Sequence, residues 1–151
     1  MSKVESFVLE ALDDETAAAL TRLLPQVSSR ANPLTPSRIE AVLATPSTRI
    51  VVATLDRAVV GMALLCICTT LTGQFGLVEE VAVDASARGN HAGVDLLVSV
   101  LELARALGLD FVELTSRPSR ATANGLYRSL GFEHRETNVY RHRLQDLPPR
   151  R

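Results

Sequence analysis

The chain has 151 residues, 46% hydrophobic and 22% charged, with a formal net charge of −1, a composition that suits one soluble globular domain and excludes a disordered or collagen-like chain. At this length roughly 70% of the surface of the unfolded chain can be buried, so neither disulfides nor a structural metal is needed to hold a core. No run approaches the roughly 18 to 20 consecutive apolar residues of a membrane helix, and the N-terminal Met-Ser-Lys-Val-Glu-Ser has no long apolar segment, so the expectation is a cytoplasmic protein with no membrane partner.

In chain order, residues 6–12 read as a first strand. Asp13-Asp14-Glu15-Thr16 then supplies N-cap candidates and acidic first-turn residues for a helix. Ala17, Leu20, Leu23 and Leu24 carry that helix to about Leu24, where Pro25 limits it. Residues 28–36 hold Ser-Ser, Asn and two prolines and read as a loop, and 37–43 as a second helix with Pro36 at its N1 position. Residues 49–55 and 58–69 are β-branched or apolar runs joined at Asp56-Arg57, a hairpin-length connection. Cys66 and Cys68 share one face of the second run; no further Cys or His pair follows at zinc spacing, so the reading is two buried reduced thiols and no metal.

After a turn at 71–74, residues 75–84 form another strand. The longest helical signal runs from about Gly89 to Leu107, with Leu97, Val100, Leu101, Ala104 and Leu107 on one face and Gly108 as C-cap. Residues 110–115 alternate like a strand, 119–130 read as a helix ended by Gly131, and 132–144 as one long or two short strands. Residues 1–144 make one domain, with 145–151 a frayed tail. Residues 117–151 carry eight Arg against three acidic residues, a balance of +5 that leaves −6 on 1–116. That positive end either faces a phosphorylated ligand or is a solvated surface. Nucleic acid is not expected: four Phe, two Tyr and no Trp supply no aromatic-basic stacking platform.

The stretch that carries chemistry is Phe75 to Gly93, a strand that passes through a small-residue turn into a helix. The first turn of a helix holds N–H groups without acceptors at the positive end of its dipole, a ready site for a diphosphate. Gly89, Ala92 and Gly93 let a ligand approach the backbone, and Arg88 adds a fixed charge. The stretch is neither a Walker A loop nor a dinucleotide fingerprint.

At these residues the chain resembles the GNAT superfamily of N-acetyltransferases, and the resemblance spans most of its length. The family signature Arg/Gln-x-x-Gly-x-Gly/Ala aligns with Arg88-Gly89-Asn90-His91-Ala92-Gly93, where His91 replaces the central glycine. A second block, Ala followed by Leu-Tyr-x-x-Leu-Gly-Phe, appears as Ala123 and Leu126-Tyr127-Arg128-Ser129-Leu130-Gly131-Phe132. The Asn that the family often carries seven residues before the Tyr is Arg120 here. The resemblance implies an α/β (α+β) fold, with a mixed sheet of six to seven strands flanked by about four helices.

The resemblance also implies the activity: transfer of an acyl group from acetyl-CoA to a primary amine of a small molecule or peptide, by direct attack. Coenzyme A would be held by Arg88, Gly89, Asn90, His91, Ala92, Gly93 and Val94, by the backbone of Val81, Ala82 and Val83, and by Arg120. A Cβ at His91 is compatible with that role if its φ stays negative. Tyr127 would protonate the departing thiolate. Glu79 or Glu80 would deprotonate the acceptor; adjacent on a strand, they face opposite sides, and Glu79 is preferred because it shares a face with Val81 and Val83. Thr115 and Ser116 sit where the cleft would be lined, or simply begin the next loop. Family habit implies a homodimer. The competing readings are a non-catalytic module whose diphosphate site is blocked by His91, and a GNAT scaffold running another reaction.

Overall fold

In the computed structural model, which describes residues 3–27 and 32–150, the first four strands form an antiparallel meander: β1 (Val4–Val8), β2 (Thr48–Leu55), β3 (Ala58–Thr70) and β4 (Gly73–Val83). β5 (Val112–Glu113) is added parallel to β4, so the sheet is mixed with order β1-β2-β3-β4-β5. Asp56 and Arg57 join β2 to β3 with φ of 50° and 73°, the paired positive values of a tight hairpin whose twist matches that of its strands.

The helix starts expected from the sequence have visible causes. α1 (Asp14–Leu23) begins where the Asp13 carboxylate accepts the Thr16 N–H at 2.7 Å. α2 (Pro36–Leu43) begins behind Thr35, whose hydroxyl accepts the Arg38 N–H, with Pro36 in the first turn. β2 is buried on both faces. Ile50 and Val52 join Leu20, Leu23, Ile39 and Met62 in the cluster under α1 and α2, whereas Val51 and Ala53, also fully buried, alternate to the opposite face. α3 (Ala92–Ala106) packs against β1 to β4 through the buried Leu96, Leu97, Val100 and Ala104. Each such large side chain contributes roughly 1.5–3 kcal/mol by leaving water.

The chain divides into two compact units, Met1–Arg117 and Pro118–Arg151, and all elements above belong to the first. The second holds α4 (Ala121–Ser129) and a 3₁₀ turn at Leu144–Asp146. The sheet has five strands rather than six or seven, because residues 133–143 form no strand and are exposed throughout. The cause is their composition. Between Glu133 and Arg143 the apolar residues are Val139 and Tyr140, adjacent and therefore unable to mark one face for burial. Cys66 and Cys68 are free and half-buried rather than buried. Among the described residues no cluster of metal-ligating side chains occurs, and no helix is long and apolar enough to cross a membrane.

Candidate active site

The site is organised by an irregularity in β4. Glu79 lies opposite Leu64 and Ala82 opposite Met62, so Glu80 and Val81 together face the single residue Ala63. This is a β-bulge, which re-aims side chains and interrupts pairing. Glu80 takes φ of 53°, a left-handed conformation that costs a non-glycine residue on the order of 1–3 kcal/mol and is typically kept where function requires it. The bulge breaks the alternation on which the preference for Glu79 rests, since parity no longer carries from Glu79 to Val81. Both carboxylates are exposed. Glu80, not Glu79, lines a cleft of about 680 Å³ within the first unit, whose apolar wall includes Leu20, Ile39, Ile50 and Met62.

Asn32, Pro33 and Leu34, from the loop expected over 28–36, line this cleft, whereas the turn at 71–74 does not; residues 28–31 of that loop lie outside the described residues. Beyond Leu77 the outer edge of β4 is open, because β5 pairs only with Gly76 and Leu77. From Val78 to Val83 the strand has β3 on one side and, among the described residues, no strand on the other. An extended chain fits such an edge as an added strand.

β4 ends at a fixed corner. The Asp84 carboxylate accepts the Ser86 N–H and hydroxyl, both at 3.0 Å, and pairs with Arg22 of α1 at 3.3 Å. The Ser86 hydrogen bonds first, and then Arg22, hold this carboxyl below the usual carboxylate range.

α3 begins at Ala92, three residues later than expected, and Arg88, Gly89 and Asn90 form an exposed turn before it. Two of the expected diphosphate donors are taken up within the protein: the Arg88 N–H bonds the Ala85 carbonyl at 3.3 Å and the Asn90 N–H the Ala87 carbonyl at 3.2 Å. The α3 ladder opens with the Asp95 N–H on the His91 carbonyl at 3.0 Å. The N–H groups of Ala92, Gly93 and Val94 therefore precede any intrahelical acceptor and mark the positive end of the dipole. Ala92 is 1% exposed and packs with Val60 and Ala87, so the donors left for a diphosphate are the N–H groups of Gly93 and Val94, beside Arg88.

His91 is the N-cap, with φ of +60° and not the negative value under which its Cβ would suit the cofactor role, and its side chain makes no capping hydrogen bond. The chain must turn sharply from Asn90 into the helix, which glycine does without strain and which His tolerates better than most residues. The imidazole is exposed. His91→Gly is expected to raise stability by about 0.5–1 kcal/mol, the relief of the left-handed strain less the extra freedom glycine gives the unfolded chain. Denaturant midpoints at constant slope check this, and a lower midpoint for the variant would show that the imidazole makes a stabilising contact.

In the second unit, the block around Tyr127 is a helix stop. Gly131, with φ of 89°, donates its N–H to the Arg128 carbonyl, and Phe132 donates to the Tyr127 carbonyl. This is the double bond of a Schellman motif, whose apolar contact is the edge-on pair of the Tyr127 and Phe132 rings at 5.9 Å. Tyr127 is 7% exposed. Burial pushes its hydroxyl above the usual tyrosine value, against the opposing charge of Arg120. Arg120 stands at the N-cap of α4 without a side-chain cap bond, and its carbonyl accepts the Asn124 amide at 2.9 Å. In the first unit, the Ser116 hydroxyl oxygen is buried without a partner among the described residues and Thr115 is exposed.

The model of the acetyltransferase (GNAT) family matches residues 8–132. The chain belongs to the GNAT acetyltransferase family. This GNAT chain is 38% identical over 93 residues to an IAA acetyltransferase of Azospirillum brasilense, a match covering 62% of the chain and 60% of the relative; it thus spans under two thirds of that relative's length. Its fold is similar to that of a Trypanosoma brucei acetyltransferase, with a TM-score of 0.75, 26% identity, and coverage of 93% of this chain and 99% of the other. It is also similar to an aminoglycoside N-acetyltransferase in complex with CoA, with a TM-score of 0.76 and coverage of 95% and 97%. At 16% identity that likeness concerns the fold alone. The match to the GNAT family ends at Phe132, the residue that closes the helix stop after Tyr127.

Neither the bulge nor the place of Arg38 in the cleft has a signature in the sequence. Glu80 carries no local signal for a left-handed backbone, and Arg38 reads as one more polar residue of a short helix.

Proposed function

We propose that this GNAT acetyltransferase moves the acetyl group of acetyl-CoA to a primary amine of a small molecule or peptide by direct attack. The observation that carries the reading is the Glu80–Val81 bulge. It sets a carboxylate in an apolar cleft on the same strand whose open edge leads to the unpaired N–H groups of α3. The bound cofactor supplies an activated acyl thioester.

The rest is done by the chain. The N–H groups of Gly93 and Val94 hold the diphosphate, helped by Arg88, while the buried Ala92 anchors the helix start and Gly89, Asn90 and the left-handed His91 shape the turn against it. The backbone of Val81, Ala82 and Val83 pairs with the extended arm, and an N–H freed at the bulge steadies the oxygen on which negative charge develops. Glu80 takes the proton that the acceptor ammonium must lose, with Glu79, opposite Leu64, as the neighbouring candidate. Tyr127 gives its proton to the leaving sulfur, and Arg120 adds positive charge for the cofactor.

The test is direct. CoA at about 100 times its dissociation constant is expected to stabilise the fold by roughly 2.7 kcal/mol, read as a rise in Tm, and acetyl-CoA with an accepting amine to release free thiol. No Tm rise at saturating CoA would replace this reading with that of a non-catalytic module. The left-handed backbone at His91 is the observation that favours that second reading, because a Cβ there suits the cofactor only while φ is negative.

A further inference from the structure

The cleft that Glu80 enters contains a second charge with no assigned use. Arg38, at the start of α2, lines the same cavity, and its side chain is exposed. The ion pairs of Lys3 with Glu5 and of Arg22 with Asp84 leave Arg38 out, and among the described residues no carboxylate pairs with it. Arg22 by contrast is held by two partners, Asp84 at 3.3 Å and the Val59 carbonyl at 3.2 Å. A cleft for simple amines gains nothing from a guanidinium, which repels the ammonium that Glu80 attracts. The pair makes sense for an acceptor that carries both signs. The walls between them, Leu20, Leu34, Ile39, Ile50 and Met62, are apolar, and about 680 Å³ is room for a ligand of drug-like size.

Resting on the transferase reading above, we infer that Arg38 selects acceptors in which the primary amine is joined to an apolar body and an anionic group. The ammonium turns to Glu80, the anion takes the two-pronged guanidinium, and polycationic amines are disfavoured by the same charge.

The test measures kcat/KM by thiol release for L-phenylalanine and glycyl-L-phenylalanine, for their C-terminal amides, and for spermidine, with the full chain and with Arg38→Gln. The inference expects at least one acid to exceed its amide by roughly tenfold or more, as a charge-assisted bidentate contact would give, with that ratio falling toward one in Arg38→Gln. A variant that is merely less well folded would lower acid and amide together and leave the ratio standing. The inference is overturned if both amides match their acids, if spermidine is the best acceptor, or if the ratio survives in Arg38→Gln. Should CoA raise Tm while no amine is turned over, the transfer reading fails, and selectivity is decided by binding alone. In that case the acids must raise the Tm of the parent chain and not that of Arg38→Gln, and equal shifts would sink the inference.

Discussion

Glu80→Gln is expected to lower kcat/KM for amine acetylation by about 10²- to 10⁴-fold, the usual worth of a positioned general base. At neutral pH a primary amine is an ammonium ion and has no lone pair for attack, so the proton must leave before the bond forms. Glu80 lines the cleft and sits on the bulge. Gln keeps its size and its hydrogen-bonding reach while removing the proton acceptor. The deficit should shrink as pH rises toward the pKa of the amine itself, near 10 for a lysine-like group, because a neutral acceptor no longer needs the base. The Tm rise with CoA should persist, since the groups proposed to hold the diphosphate lie beyond the bulge. The outcome that overturns the assignment is a full deficit in Glu79→Gln with none in Glu80→Gln.

Tyr127→Phe is expected to lower kcat by a comparable factor, with little change in KM, as when a group acting only in the transition state is removed. Phe keeps the ring packed edge-on against Phe132 and deletes the proton donor. Burial raises the pKa of the hydroxyl, against the smaller opposing pull of Arg120. The alkaline limb of the kcat profile of the parent chain is therefore expected above the ordinary tyrosine value of about 10, and to vanish in the variant. The same shift fixes a sign for stability. The unfolded tyrosine ionises first, so the folded form's advantage is complete below the unfolded pKa and is lost as pH rises through the folded one. Paired urea titrations should show the parent losing stability relative to Tyr127→Phe as pH climbs past about 10. Parallel curves would mean that the hydroxyl is not shielded in the folded chain.

Much of the fold is legible in the residue order, and the legible parts share a cause. Asp13 caps α1, Pro36 opens α2 and Gly131 stops α4, each through bonds or backbone angles among residues a few positions apart. The strands expected at 49–55 and 58–69, together with the Asp56-Arg57 turn between them, match β2 and β3 almost to the residue. The strand expected within 132–144 does not form, because that charged stretch offers no apolar face to bury.

The family is legible in the motif residues Arg88 to Gly93 and Leu126 to Phe132, and most of the helices and strands follow from residue order because caps, turns and hydrophobic period are local properties of the chain. The bulge at Glu80, the left-handed His91 and the meeting of Glu80 with Arg38 in one cleft do not. The first depends on how Met62 to Leu64 register against β4, and the third on α2 folding across the sheet from a distant part of the sequence. The second depends on the angle at which α3 docks on the strands that bury Leu96 and Leu97. Register and docking angle are set by packing between segments far apart in sequence, and a one-dimensional pattern holds no record of which residue will face which.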